Sequence, residues 1–164
     1  MTDTKTPIKF DHEFSIDIHM AVEKTFSQML GVFVQSSFTT HGGDYAVSGS
    51  DVMGTVSMVE NDVVGSLVLC FPKATLFAVL KKLYRKDFTA VDRTATLAVG
   101  ELTNVIFGVF KHRQSEKGSR YKMAIPQITE SSQFRMPGAA ATLEGKFTSS
   151  FGDFSAYVVL ADNR

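Results

Sequence analysis

The chain has 164 residues, 44% hydrophobic and 21% charged, the size and composition of a single packed domain. Seventeen Lys and Arg balance seventeen Asp and Glu, so no net field draws the protein to nucleic acid or to an anionic membrane. The longest apolar stretch, Val63 to Phe71, is interrupted by Gly65 and Ser66 and ends at Pro72, well short of the roughly 20 residues that span a bilayer.

Residues 1–12 are polar, with Ile8 and Phe10 the only strongly apolar residues after Met1; they read as a flexible leader, with one domain over 13–164. The leader lacks the apolar run of a signal peptide, which points to a cytoplasmic protein. From Phe14, the positions Ile18, Ala21, Val22, Phe26, Met29 and Leu30 recur at helical spacing, and Gly31 is the expected stop. Val32 to Phe38 is strand-like, and His41-Gly42-Gly43-Asp44 carries a turn signal. Val52 to Phe71 reads as a hairpin about Glu60-Asn61-Asp62, closed by Pro72, which can open a helix carrying Leu76, Leu80 and Leu83. Thr89 with Asp92 is an imperfect capping box before the longest helical pattern, Asp92 to Arg113. Tyr121 to Thr129 is a strand interrupted by Pro126, and Ala139 to Ser149 with Phe154 to Leu160 form a second hairpin.

Both halves run helix, strand, turn-rich segment, hairpin. A duplication with a pseudo-twofold axis follows as an expectation: an α+β, layered α/β domain with long helices on one antiparallel sheet. The helix after Pro72 is then an extra element.

Few residues offer chemistry. Cys70, the only cysteine, sits in the apolar Val68-Leu69-Cys70-Phe71, which suits a buried thiol and excludes an intrachain disulfide. His12, His19, His41 and His112 are scattered and show no metal-ligand spacing. His41-Gly42-Gly43-Asp44 lacks the helix and lysine of a phosphate loop, and no aromatic platform for nucleic acid stands out.

The longest helix is different. Ala95, Val99, Leu102, Ile106 and Val109 define its buried face. Glu101 and Asn104, three apart, lie about 60° from each other and point outward together. Gly100 and Gly108 flank them, each costing about 1 kcal/mol relative to alanine in a helix. Close helix packing or a bend would explain the glycines; so would room for another backbone to approach Asn104. The basic run beginning at Lys111-His112-Arg113 suits either a solvated helix end or an encounter with an acidic partner.

Gly100-Glu101-Leu102-Thr103-Asn104-Val105-Ile106-Phe107-Gly108 resembles the signature helix of the CheC/CheX/FliY family of chemotaxis phosphatases, with its Glu-x-x-Asn motif. Ala124-Ile125-Pro126-Gln127-Ile128 and Gly65-Ser66-Leu67-Val68-Leu69 resemble the family's Ile-Pro strand and its glycine-led central strand. The similarity runs from about Phe14 onward and is closest to the CheX branch. It implies hydrolysis of the aspartyl phosphate on a CheY-type response-regulator receiver domain. Asn104 would orient the attacking water, Glu101 would dock on the receiver's lysine, and Gly100, Gly108 and Lys111 would meet the partner. The resemblance further implies that magnesium sits on the receiver and that this chain holds no cofactor or metal. It implies a homodimer joined by a sheet edge. The family's two-site members repeat the motif on the first helix; here Glu23-Lys24-Thr25-Phe26 puts an aromatic where the amide belongs, so one active helix is expected. The alternative is a receiver-binding or flagellar-switch module without turnover.

Overall fold

The computed structural model describes residues 10, 12–43, 45–131 and 133–162. Its elements follow in order: α1 (His12–Leu30), β1 (Gln35–Gly42), β2 (Val47–Ser48), β3 (Val52–Glu60), β4 (Val63–Phe71), α2 (Lys73–Tyr84), α3 (Arg93–Ser115), β5 (Lys122–Met123), β6 (Gln127–Thr129), β7 (Gln133–Phe134), β8 (Ala139–Ser149) and β9 (Gly152–Asp162). The expected leader falls mostly outside the described residues. Of its two described members, Phe10 packs edge-on against Phe14 and His12 already begins α1.

The main sheet is antiparallel throughout, in the order β1-β8-β9-β4-β3-β5, with β6 also paired to β3. This order is symmetric about its centre. Strands β4 and β9 are the middle pair, β3 and β8 flank them, and each outer strand borders a strand of the opposite half. The register repeats too: Gly54 lies opposite Leu69 and Ile128, and Gly145 opposite Ala156 and Phe38. The topology therefore carries the duplication read from the sequence, with two interleaved halves.

Three helices cover one face. Strand side chains from Val56, Leu69, Phe147 and Val158 meet helix side chains from Ile18, Val22, Leu80, Leu102 and Ile106 in one core. Phe154 is its aromatic hub, stacked at ring-centroid distances of 4.7 Å on Phe26, 5.2 Å on Phe147 and 5.5 Å on Phe71. On the other face, the small β2–β7 sheet helps cover a second cluster around Val68, Cys70, Tyr157 and Val159. Sequence alternation does not anticipate this pair, because two-residue strands carry almost no periodicity.

Chain reversals follow local chemistry. Gly31 adopts φ +69° after α1, where its N–H and that of Val32 bond back to Ser27 and Phe26 carbonyls, as a helix C-terminus favours. Asn61, at φ +53°, turns the β3–β4 hairpin. Two expectations are corrected. The first strand lies at Gln35–Gly42, so His41 and Gly42 are sheet residues paired with Thr142 and Ala141; an available partner strand overrides a local turn signal. Asp92 itself caps α3, its side chain accepting from the Ala95 N–H at 2.9 Å, which leaves Thr89 outside the cap.

Two buried carboxylates lock elements together. Asp17 on α1 accepts from Arg113 Nε at 2.8 Å, Gln114 Nε2 at 2.7 Å and Lys117 Nζ at 2.8 Å. Burial works against its charge, but these donors outweigh burial and hold the carboxyl below its ordinary range. Glu144 on β8 contacts His41 Nε2 at 3.1 Å and accepts from the Tyr45 and Tyr157 hydroxyls at 2.9 and 3.2 Å. Its carboxyl is lowered by the same balance, burial opposed by hydrogen bonds.

Candidate functional site

Helix α3 is seated by its buried face, with Val99, Leu102, Ile106, Phe107 and Phe110 inside the core. Thr103 turns its hydroxyl back to the Val99 carbonyl at 2.7 Å and lies over Gly54 of β3. A Cβ at Gly54 would stand 2.0 Å from Thr103 Oγ1, so only glycine there lets α3 approach the sheet this closely. That seating decides which way the residues beside Thr103 face.

Leu97, Glu101, Asn104, Gly108 and Lys111 are all exposed. At 100° per residue they fall within about 80° of arc, along about 21 Å of helix. Glu101 and Asn104 stand side by side, and neither side chain makes a hydrogen bond or ion pair among the described residues. A Cβ at Gly108 would meet nothing within 4 Å, and one at Gly100 would make only ordinary contacts of 3.7 to 3.8 Å with Ile128. Packing inside the chain therefore does not require either glycine. The basic run divides: Arg113 and Lys117 bind Asp17, and His112 lies 3.2 Å from Glu116. Lys111 remains on the open face.

The second wall of the site is the break between β5 and β6. Ala124 still donates its N–H to the Ser57 carbonyl of β3 at 3.0 Å, but Pro126 has no N–H to give a ladder, and Ile125-Pro126 leaves the β3 edge before Gln127 rejoins it. This segment and α3 enclose a groove of about 580 Å³ whose lining includes Leu97, Glu101, Asn104, Ile125 and Ile128. Ile125 is 86% exposed and Leu97 62%. Sequence reading passes over both as site residues, although Leu97 sits four before Glu101 on the same stripe and Ile125 precedes the interrupting proline.

On α1 the comparison residue Phe26 is fully buried, so Glu23-Lys24-Thr25-Phe26 cannot form an outward pair. The outer face of α1 carries exposed Ile16, Met20 and Ser27 and half-buried Glu23, which lies 3.4 Å from His19, with the spacing of Leu97, Glu101, Asn104 and Gly108. Met20 and Glu23 thus stand where α3 has Glu101 and Asn104. Cys70 is buried, and burial pushes its thiol up to about 12, so it is a neutral group near pH 7. Among the described residues no three His, Cys, Asp or Glu gather as a cation site, and no helix is long and apolar enough to cross a membrane.

An α+β domain with three helices on a pseudo-symmetric antiparallel sheet is the CheC-like fold. It is similar to a CheC-like superfamily protein from Shewanella sp. PV-4, at 20% identity and TM-score 0.81 over 92% of this chain and 99% of that one. A chemotaxis protein CheX from Vibrio vulnificus is similar at 18% identity, TM-score 0.77, over 90% and 99%. So is the CheX–CheY–BeF3–Mg2+ complex of Borrelia burgdorferi, at 17%, TM-score 0.71, over 94% and 100%. The family model described as "Chemotaxis phosphatase CheX" matches residues 52–148, and the chain belongs to that family. No curated protein matches the chain.

Proposed function

We propose that this protein is a phosphatase of a CheY-type receiver domain, working in the cytoplasm through Glu101 and Asn104. The observation that carries the reading is the outward pair: two hydrogen-bonding side chains with no partner among the described residues, on an open helix face beside a glycine whose added Cβ would meet nothing within 4 Å. Family membership and the Borrelia burgdorferi complex with CheY support the partner's class.

The chemistry asks little of the helix. The receiver brings the acyl phosphate and its magnesium, so hydrolysis needs a water held in line with the phosphorus and shielded from bulk solvent. Asn104 carries both a donor and an acceptor on one rigid amide, which suits holding a water by two contacts. Water oxygen bonds to phosphorus as the bond to the aspartyl oxygen breaks; the products are inorganic phosphate and the free carboxylate. Glu101, one turn back, is placed to meet the receiver's lysine, and Lys111 to meet its acidic rim. Neither forms a covalent bond. This chain holds no metal in the reaction we propose.

We further infer a homodimer through β1. Its outer edge is eight residues long and, among the described residues, has no strand beside it, whereas the opposite edge is made of two strands of two and three residues. A long open edge is the one able to pair with another chain.

Decay of phosphate on a CheY-type receiver with magnesium tests the activity, with and without this protein. Asn104→Ala is expected to remove nearly all acceleration while the thermal midpoint holds, and Glu101→Ala to weaken docking. Phosphorylation-dependent binding without faster decay, for any receiver of the same organism, would make the protein a non-catalytic module instead.

A further inference from the structure

We infer that Leu97 and Ile125 form an apolar clamp that supplies most of the docking energy for the receiver, on either side of its phosphorylation pocket. This deepens the function proposed above and rests on it. Single exposed apolar side chains are ordinary on protein surfaces. Here two of the most exposed large ones, at 62% and 86%, line the same groove as Glu101 and Asn104. They reach it from different elements, α3 and the β5–β6 break. Pro126 restrains the backbone beside Ile125, so little conformational freedom is lost when that side chain is covered.

Charge identifies the occupant. Among the described residues Glu101 is the only charged one lining the groove, and no cation lines it. A free phosphate or a phosphorylated peptide would meet a carboxylate with nothing to offset its own charge. The groove therefore fits a phosphoryl group only where the partner has already neutralised it, as a receiver does with its metal ion and lysine. Attraction must then come from apolar contact around the pair, and Leu97 and Ile125 are placed to give it. Covering them also shuts bulk water out, so the water on Asn104 is the one that attacks.

The test is binding of the full chain to a magnesium- and beryllofluoride-loaded CheY-type receiver, where beryllofluoride stands in for the phosphoryl group, together with steady-state dephosphorylation. Leu97→Ser and Ile125→Ser are each expected to weaken binding about tenfold or more, the range of an interface hot spot, with the loss falling on KM rather than kcat. Asn104→Ala should show the reverse split. Phe33→Ser is the control: Phe33 is 79% exposed but outside this groove, and the variant is expected to bind like the parent. Tight binding by Leu97→Ser and Ile125→Ser, or equal weakening by Phe33→Ser, overturns the clamp while leaving the phosphatase reading intact. Failure of the parent protein to bind or dephosphorylate any receiver overturns both.

Discussion

Gly108 is a helical glycine that packing among the described residues does not require. Inside a helix, glycine is worth about 1 kcal/mol less than alanine, and nothing within 4 Å of a Cβ at Gly108 would recover that loss. Gly54 is the contrast, because its missing side chain is filled by Thr103 of the same chain. Gly108→Ala is expected to raise the free energy of unfolding by up to about 1 kcal/mol and to weaken receiver binding, since the added methyl stands on the face we propose for docking. Chemical denaturation and a binding titration on the same variant separate the two effects. A variant both stabler and equally tight in binding would remove Gly108 from the interface.

At the scale of elements, one buried carboxylate adds a polar tie to the apolar packing between α1 and α3. Asp17 is fully buried and gathers Arg113, Gln114 and Lys117, which fixes the C-terminal half of the site helix against its neighbour. Asp17→Ala leaves the buried Gln114 amide without that acceptor and is expected to cost about 3 kcal/mol. The pH dependence has a definite sign. A carboxyl lowered in the folded state stabilises it above the unfolded pKa, near 4, and that contribution disappears as pH falls through the lowered folded value. Glu144 acts in the same direction. Urea unfolding from pH 7 down to pH 3 is expected to show a steep acid limb for the parent and a shallower one for Asp17→Asn. The same network withdraws Arg113 and Lys117 from the basic run, while Lys111 stays exposed on the stripe of Glu101 and Asn104.

For the whole molecule, the pseudo-twofold is complete in the sheet and broken at its rims. One outer strand, β1, runs for eight residues; its counterpart is split by Ala124-Ile125-Pro126 into β5 and β6. The break opens the groove beside α3, and the intact strand presents the edge at which we propose a second copy pairs. Sedimentation equilibrium is expected to find dimers, and Ser37→Lys combined with Thr39→Lys to yield monomers. Both residues are exposed on β1, where paired edges would bring like charges together. Unaltered dimers in the double variant would place the contact elsewhere.

Much of this was legible before any coordinates. The helical stripe of α3, the two hairpins, the breaking proline and the outward direction of Glu101 and Asn104 follow from periodicity and backbone chemistry, which are local. Other features depend on residues far apart in the chain. His41 joins a strand because β8 lies alongside it, and its ring meets Glu144, more than a hundred positions later. Arg113 and Lys117 look like free cations until α1 places Asp17 against them. Leu97 and Ile125 become two walls of one groove only when β6 pairs with β3 beneath α3. Local spacing determined what each segment could become and which way its side chains point; the tertiary structure decided which charges are paired inside the molecule and which apolar side chains remain outside, because both depend on who the neighbours are.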